Sequence, residues 1–473
     1  MSGFISLELS DIQQDNTSKH CPTKDHLTNK FNCGVVWCEK LCIFALKILH
    51  MTLKYTRVFV AAVLFITSAF SAFSQATLSR LEEDVTRAGC IYHSYEFSEI
   101  RDIKAPKGYE PFYISHYGRH GSRYHYTYEY LGSLDKHLHQ ADSLDNLTED
   151  GKILLAQVDS ILLEHKDMLG NLTAKGQKEI RIMSQRMVER FPEVFNDKDR
   201  NLIDAYSSIV RRCVVSMAVA ASAILQYNHD LDVTFNVNDI VFNKFMNIGH
   251  HTRAGKAYYD PRMSERIKNI GWESLSAKIF KNPSIAGGTS YEHADNLWNY
   301  WSICQCLDTV NIDILKYFTM DQLLQYWQIK SGYYYLIFLR SDQFGEKNPE
   351  GMAPLMMEFI ERADEAIAGN NVAATLRYGH DSTLMPFAAA LGIADFAKTH
   401  SEDDLPIDYW DLASKIGMSS NVQIVFYKNR KNDILVKFLY NEKETTVPAL
   451  EADYNGVYYS WNKVREYYLS NIK

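Results

Sequence analysis

The sequence predicts an α/β fold: a mostly parallel, three-layer sheet core carrying an inserted, mostly helical cap. Short β-branched and aromatic runs at 111–117, 203–207 and 372–378 are each followed by helical patterns, the alternation that builds parallel sheets. Reactive residues follow each of those strand ends, where open α/β sheets place their ligands. Residues 226–345 instead show recurring helical faces rich in Trp and Tyr. The chain of 473 residues is long enough for two domains or one with an insertion. The core is therefore assigned to 75–225 and 346–473, and the cap to 226–345.

The amino end reads as export machinery. Lys54 and Arg57 precede an apolar run at 58–73, and small residues at Ala72 and Ser74 leave Gln75 as the expected mature start, making 51–74 a signal peptide. The run is short for a membrane span and no positive stop-transfer cluster follows it. A periplasmic or secreted protein without stable membrane insertion is expected once the signal is removed. Residues 1–50 are read as a mis-called extension ahead of Met51; a signal-anchor with a cytosolic tail is the other reading. Cys21, Cys33, Cys38 and Cys42 lack the paired short steps of common zinc sites.

The elements follow in order. A helical start at 78–88 precedes the first strand, which breaks at Gly118 and Gly121 around Arg119-His120, with Arg123 next. Glycine there permits a sharp turn and close approach of a ligand. Two amphipathic helices occupy 128–170, the first with Leu131, Leu134 and Leu138 on one face, the second with Leu154, Val158 and Ile161. Thr173 caps a helix whose Ile180, Met183 and Met187 share a face, ended by Pro192. The strand at 203–207 leads into a helix at 210–225, placing Arg212 in a first turn suited to an anion. Helical faces recur at 263–270, 275–279, 297–307, 320–328 and 355–367. The strand at 372–378 ends at Gly379-His380-Asp381 and a helical run at 384–391 follows. A hairpin of 422–427 and 434–440 and a last helix at 461–469 close the chain. Cys304-Gln-Cys306 lies in a helix-like run that suits two buried thiols better than a strained near-neighbour bridge.

Composition excludes several functions. A net charge of −8 argues against nucleic acid as the main partner. No Gly-x-Ser-x-Gly elbow or Walker loop is present. His116, His120 and His125 do not have metal-site spacing once Gly118 interrupts them. What remains is Arg119, His120 and Arg123, then Arg212, then His380 and Asp381, each after a separate strand. A phosphomonoester repels anionic nucleophiles, whereas neutral imidazole attacks without that repulsion. Guanidiniums stabilise the phosphoryl charge, and a nearby carboxyl can protonate a poor alkoxide leaving group. No metal or other cofactor is needed for this chemistry.

The motifs Arg119-His-Gly-Ser-Arg123 and His380-Asp381 resemble those of the histidine phosphatase superfamily, in the branch of histidine acid phosphatases, phytases and multiple inositol polyphosphate phosphatases. Leu172-Thr-Ala-Lys-Gly176, Arg212-Cys-Val-Val-Ser216, Tyr317-Phe-Thr and Leu439-Tyr-Asn-Glu442 extend the resemblance from about residue 85 to the carboxyl end. It implies His120 as nucleophile, Asp381 as proton donor, and Arg119, Arg123, Arg212 and His380 as the phosphate clamp. Two departures stand out: His125 replaces the family's usual proline, and His-Asp stands where inositol polyphosphate phosphatases usually carry His-Ala-Glu. The expected activity is an exported phosphomonoesterase acting on phytate-like inositol polyphosphates through a phosphohistidine. The alternatives are a broad acid or sugar-phosphate phosphatase, or an inactive phosphate- or glycan-binding protein. His125, Lys244, Arg253, Lys256 and Arg262 are the candidate substrate rim, and a monomer is expected.

Overall fold

A computed structural model describes residues 79–243, 252–344, 347–402 and 410–472. The expected signal peptide, the extension ahead of it and Lys244 lie outside the described residues. All described residues fall within one compact unit, Gln75–Lys473.

Strand β1 (Glu110–Arg119) lies at the centre of an eight-stranded sheet and is buried from Phe112 to its end. The strands β2 (Leu202–Ser207) and β3 (Asp232–Asn236), the two-residue β4 (Arg340–Ser341), β5 (Val372–Gly379) and β6 (Thr399–His400) follow in chain order. The carboxyl-terminal part adds β7 (Asn421–Lys428), β8 (Ile434–Tyr440), β9 (Lys443–Thr445) and β10 (Tyr458–Ser460). The main sheet runs β10-β8-β7-β1-β5-β2-β3, with β9 paired to β8, while β4 and β6 form a separate small ladder. β1, β5, β2 and β3 are mutually parallel. β7 joins the other side of β1 antiparallel and pairs with β8 as the predicted hairpin.

Register creates the functional edge. Arg119 at the end of β1 is level with Gly379 at the end of β5, and Ser207 of β2 pairs with Tyr378. Three strand ends therefore stop together, and the residues after them meet. β5 is buried on both faces, so its single charged residue cannot reach water. Arg377 is instead paired with Glu358 at 2.7 and 3.0 Å and also donates to Ser115 Oγ at 3.1 Å. A buried charge is tolerated only with such partners.

The sheet is covered on both faces. Ile114, Ile203 and Leu376 pack with Ile180, Met183 and Met187 of the helix Ala174–Arg190, and with Met217, Ala220 and Ile224 of the helix Arg211–Tyr227. Tyr113, Tyr117 and Phe426 face the opposite layer, which includes Phe359, Phe387 and Trp461. Helices Arg253–Lys268, Glu273–Ile279, Ser290–Cys304 and Met320–Phe338 contribute to that second cluster. So do Leu138, Leu154 and Val158 from the helices Leu134–Ser143 and Glu149–His165.

One feature differs from the sequence reading. β3 lies inside 226–345, the range read as helical, and extends the parallel sheet; as an edge strand it has no fully buried residue to give a pattern. Cys90, Cys213, Cys304 and Cys306 are all free and buried. No helix among the described residues is long and apolar enough to cross a membrane.

Candidate active site

The loop after β1 is held by its neighbours' backbones. Glu179, from the helix Ala174–Arg190, accepts from Ser122 N (2.9 Å), Ser122 Oγ (2.7 Å) and Ser419 Oγ (2.9 Å). Thr173 caps that helix by accepting from Gly176 N, and its own hydroxyl donates to Ser122 O at 3.0 Å. The helix start approaches so closely that a Cβ on Gly176 would lie 2.1 Å from the Ser122 carbonyl oxygen. His120 N donates to Gly379 O at 3.0 Å, Arg119 N to Ser420 O at 2.8 Å, and Gly121 N to Ser216 Oγ at 3.2 Å. Every side of the loop is fixed before any ligand arrives.

His120 is almost fully buried, and its Nδ1 lies 2.9 Å from Gly121 O. A carbonyl only accepts, so Nδ1 carries the proton and Nε2 keeps the lone pair. Burial and the charges of Arg212 and Arg119 hold this imidazole well below the ordinary histidine range. It is therefore neutral, as a nucleophile must be.

The guanidiniums are equally constrained. Arg119 Nη1 donates to Ile91 O (2.7 Å) and Ile416 O (2.6 Å), and Nη2 lies 3.2 Å from Asp381 Oδ2. The Ile91 carbonyl follows Cys90, held at φ 54° and ψ −119°. Arg123 is sandwiched between the Tyr92 and Tyr126 rings, 5.3 and 5.2 Å from their centres. Arg212, on the first turn of its helix, donates from Nη2 to His380 Nδ1 at 3.3 Å. Because a guanidinium cannot accept, His380 carries its proton on Nε2 and donates it to Ser208 Oγ at 3.0 Å. Burial, then Arg212, pushes His380 down to about 3. Arg212 itself falls to about 10 through burial and the neighbouring Arg123. The Nε atoms of Arg119, Arg123 and Arg212 are all buried without a hydrogen-bond partner. Buried unpartnered donors from three converging cations favour an anion strongly.

Asp381 is the first residue of the helix Asp381–Ala390, and its Oδ1 accepts from Ser382 N at 2.8 Å. Burial pushes its carboxyl up, but Arg119 and His380 outweigh burial and hold it below the ordinary value. In the free protein it is a carboxylate.

A cavity of about 360 Å³ opens over these groups, lined by Arg119, His120, Arg123, Arg212, His380 and Asp381 on the sheet side. Another of about 300 Å³, between Arg340 and Tyr467, contains none of the motif residues. Of the candidate rim, Lys256 lines the site cavity; Arg253 and Arg262 do not. Arg262, about 120° around their shared helix from Lys256, packs on the Tyr258 ring and faces Glu402 at 3.8 Å. His125 is wholly buried behind the cavity wall, bonded to Tyr92 and Thr127. Lys330, Trp298, Tyr334, Phe338 and the tyrosines at 92, 126 and 130 also line the cavity. None of these was singled out from sequence, because aromatic stripes on helices also read as core. Asp84, His93 and Glu96 cluster closely enough to hold a cation, but Arg87 already occupies that position, 2.7 Å from Glu96.

Comparisons with known proteins agree with this geometry. "Multiple inositol polyphosphate phosphatase 1" of Homo sapiens is 23% identical over 328 residues, covering 58% of this chain and 62% of the human protein. The chain thus spans less than two thirds of that relative's length. The fold matches the Bifidobacterium longum multiple inositol polyphosphate phosphatase crystallised with inositol hexasulfate, with a TM-score of 0.67 and 18% identity, covering 82% of this chain and 98% of the other. The phytase from D. castellii gives a TM-score of 0.62 at 15% identity, covering 82% and 85%. Residues 119–441, more than half of the chain and bracketing every motif residue, match the family profile "Histidine phosphatase superfamily (branch 2)". With its loop, its His-Asp pair and its sheet all in the expected places, this chain belongs to branch 2 of the histidine phosphatase superfamily.

Proposed function

We propose that this chain is an exported phosphomonoesterase whose substrates are inositol polyphosphates of the phytate class. The observation that carries the reading is a neutral, buried imidazole beside three guanidiniums, each with a buried, unpartnered N–H group. Such a site accepts a dianionic phosphoryl group and disfavours neutral ligands. His120 Nε2 attacks phosphorus in line, the ester P–O bond breaks, and the departing oxygen takes a proton from Asp381. Water then attacks the phosphohistidine, giving its proton to the Asp381 carboxylate, and orthophosphate leaves with His120 neutral. Arg119, Arg123 and Arg212 hold the phosphoryl oxygens throughout, and His380 joins them once the field of the bound dianion places a proton on its Nδ1.

Asp381 is ionised in the free protein, so the donor role requires bound phosphate to raise it. A dianion placed among the arginines offsets the field that depresses the carboxyl. Lys256 and Lys330, on the helical wall, suit a substrate bearing further phosphates. That wall, built mainly from 226–345, acts as a cap.

The test compares phytate, glucose phosphate and an aryl phosphate, using protein lacking residues 1–74. Turnover of phytate is expected; good rates on glucose phosphate with none on phytate would favour the sugar-phosphate reading. Asp381→Asn should slow the first cleavage of phytate strongly yet spare the first-turnover burst of aryl alcohol, whose departure needs no proton, while later turnovers slow on both. Equal loss of the first-turnover step on both substrates would reject Asp381 as donor.

A further inference from the structure

His125 stands immediately behind the cavity wall and makes two ring hydrogen bonds. Its Nδ1 is 2.8 Å from Thr127 O, and its Nε2 is 3.0 Å from Tyr92 Oη. The carbonyl only accepts, so Nδ1 carries the proton and Nε2 must accept from the Tyr92 hydroxyl. The ring also stacks on Tyr126, with centroids 4.7 Å apart and planes at 22°. Tyr92 and Tyr126 are the two walls that sandwich the Arg123 guanidinium. One residue therefore fixes both walls: Tyr92 through its hydroxyl and Tyr126 through its face. Tyr130 closes the group, 4.9 Å from Tyr126 and 5.9 Å from His125.

Two aromatic rings beside a guanidinium restrict its side-chain rotation while leaving N–H groups for a ligand. Arg123 donates from Nη1 to Tyr124 O at 3.1 Å, its side chain also meets the Tyr92 hydroxyl, and its buried Nε has no partner. Without the sandwich, rotation about the side-chain torsions would disperse those N–H groups. We propose that His125 is a positioning residue that orients Arg123 toward the phosphoryl group through Tyr92 and Tyr126. The proposal rests on Arg123 being a phosphate ligand, and it gives a defined task to the residue that replaces the family's usual proline.

The test reads orthophosphate affinity by calorimetry, with thermal stability measured alongside. Orthophosphate binding needs neither Asp381's proton nor a phosphohistidine, so an error in the proposed reaction leaves this result interpretable. Tyr92→Phe keeps the ring and removes the hydroxyl; His125→Phe keeps a stacking ring and removes the acceptor. Each should weaken orthophosphate about tenfold while changing melting temperature little, and the double variant should lose no more than either alone. His125→Gln, which restores an acceptor for Tyr92, should recover part of the loss in affinity. Independent losses that multiply to about a hundredfold, or unchanged affinity in both single variants, would overturn the proposal.

Discussion

Glu179 offers a quantitative test of how the loop carrying His120 is held. Its carboxylate accepts from Ser122 N, Ser122 Oγ and Ser419 Oγ at 2.7–2.9 Å and is 5% exposed. Glu179→Ala leaves three donors facing a void, one of them a backbone N–H that cannot turn away. At roughly 1.5 kcal/mol for each lost bond to a charged acceptor, the variant should lose about 4.5 kcal/mol of stability. Glu179→Gln keeps one acceptor oxygen but turns an amide NH2 toward a donor, so about 2 kcal/mol is expected. Urea unfolding at neutral pH, with the denaturant slope checked for constancy, measures both. Arg119, Arg123 and Arg212, the proposed phosphate ligands, make no hydrogen bond to Glu179, so orthophosphate binding reports separately whether the loop has moved. A Glu179→Ala variant within about 1 kcal/mol of wild type would refute the assignment of loop order to this carboxylate.

His116 and Gly176 give two further expectations. His116 is fully buried with both ring nitrogens unpartnered, and burial, then Arg377, lowers it to about 3. The unfolded chain therefore binds the extra proton between about pH 3 and the ordinary value of 6.5, and stability falls as pH drops through that window. His116→Phe removes this term, so its stability relative to wild type should improve by about 2 kcal/mol between pH 7.5 and pH 5; no pH-dependent gain in urea unfolding would count against it. Gly176→Ala forces its Cβ to within 2.1 Å of a backbone oxygen, and a loss above about 3 kcal/mol is expected. Wild-type stability in that variant would show that the helix start can withdraw without cost.

The parallel half of the fold was legible because buried strands and their following helices carry strong local patterns. β1, β2 and β5 combine apolar runs with glycine, serine or histidine at their ends, so sequence alone located the three strand ends that meet. β3 carried no such signal: its residues are exposed or half-buried at the sheet edge, with no alternation to detect. The reach of the helical layer was also hidden. The helices Leu134–Ser143 and Glu149–His165 share an apolar core with helices more than a hundred residues later, and periodicity says which face is buried, not against what.

At the site, the charged residues announced themselves and the walls did not. Arg119, His120, Arg212, His380 and Asp381 have few structural reasons to follow strand ends. Tyr92 comes from the 3₁₀ segment Val85–Tyr92, and Lys330 from the aromatic helix Met320–Phe338, where neither differs from ordinary packing or surface residues. His125 showed the opposite difficulty. Its replacement of a proline marked it as unusual, but only its burial and its bond to Tyr92 showed that it faces away from the cavity.

A phosphoryl group on His120 is the direct test of the proposed chemistry. Asp381→Asn slows water's attack on the phosphohistidine while still permitting its formation from an aryl phosphate, so the adduct should accumulate. Rapid quenching followed by peptide mass spectrometry should find it on the peptide containing His120, labile in acid and stable in base. His120→Ala should yield neither adduct nor turnover. Continued turnover with His120 unmodified, or a phosphoryl group trapped on another residue, would contradict His120 as the nucleophile.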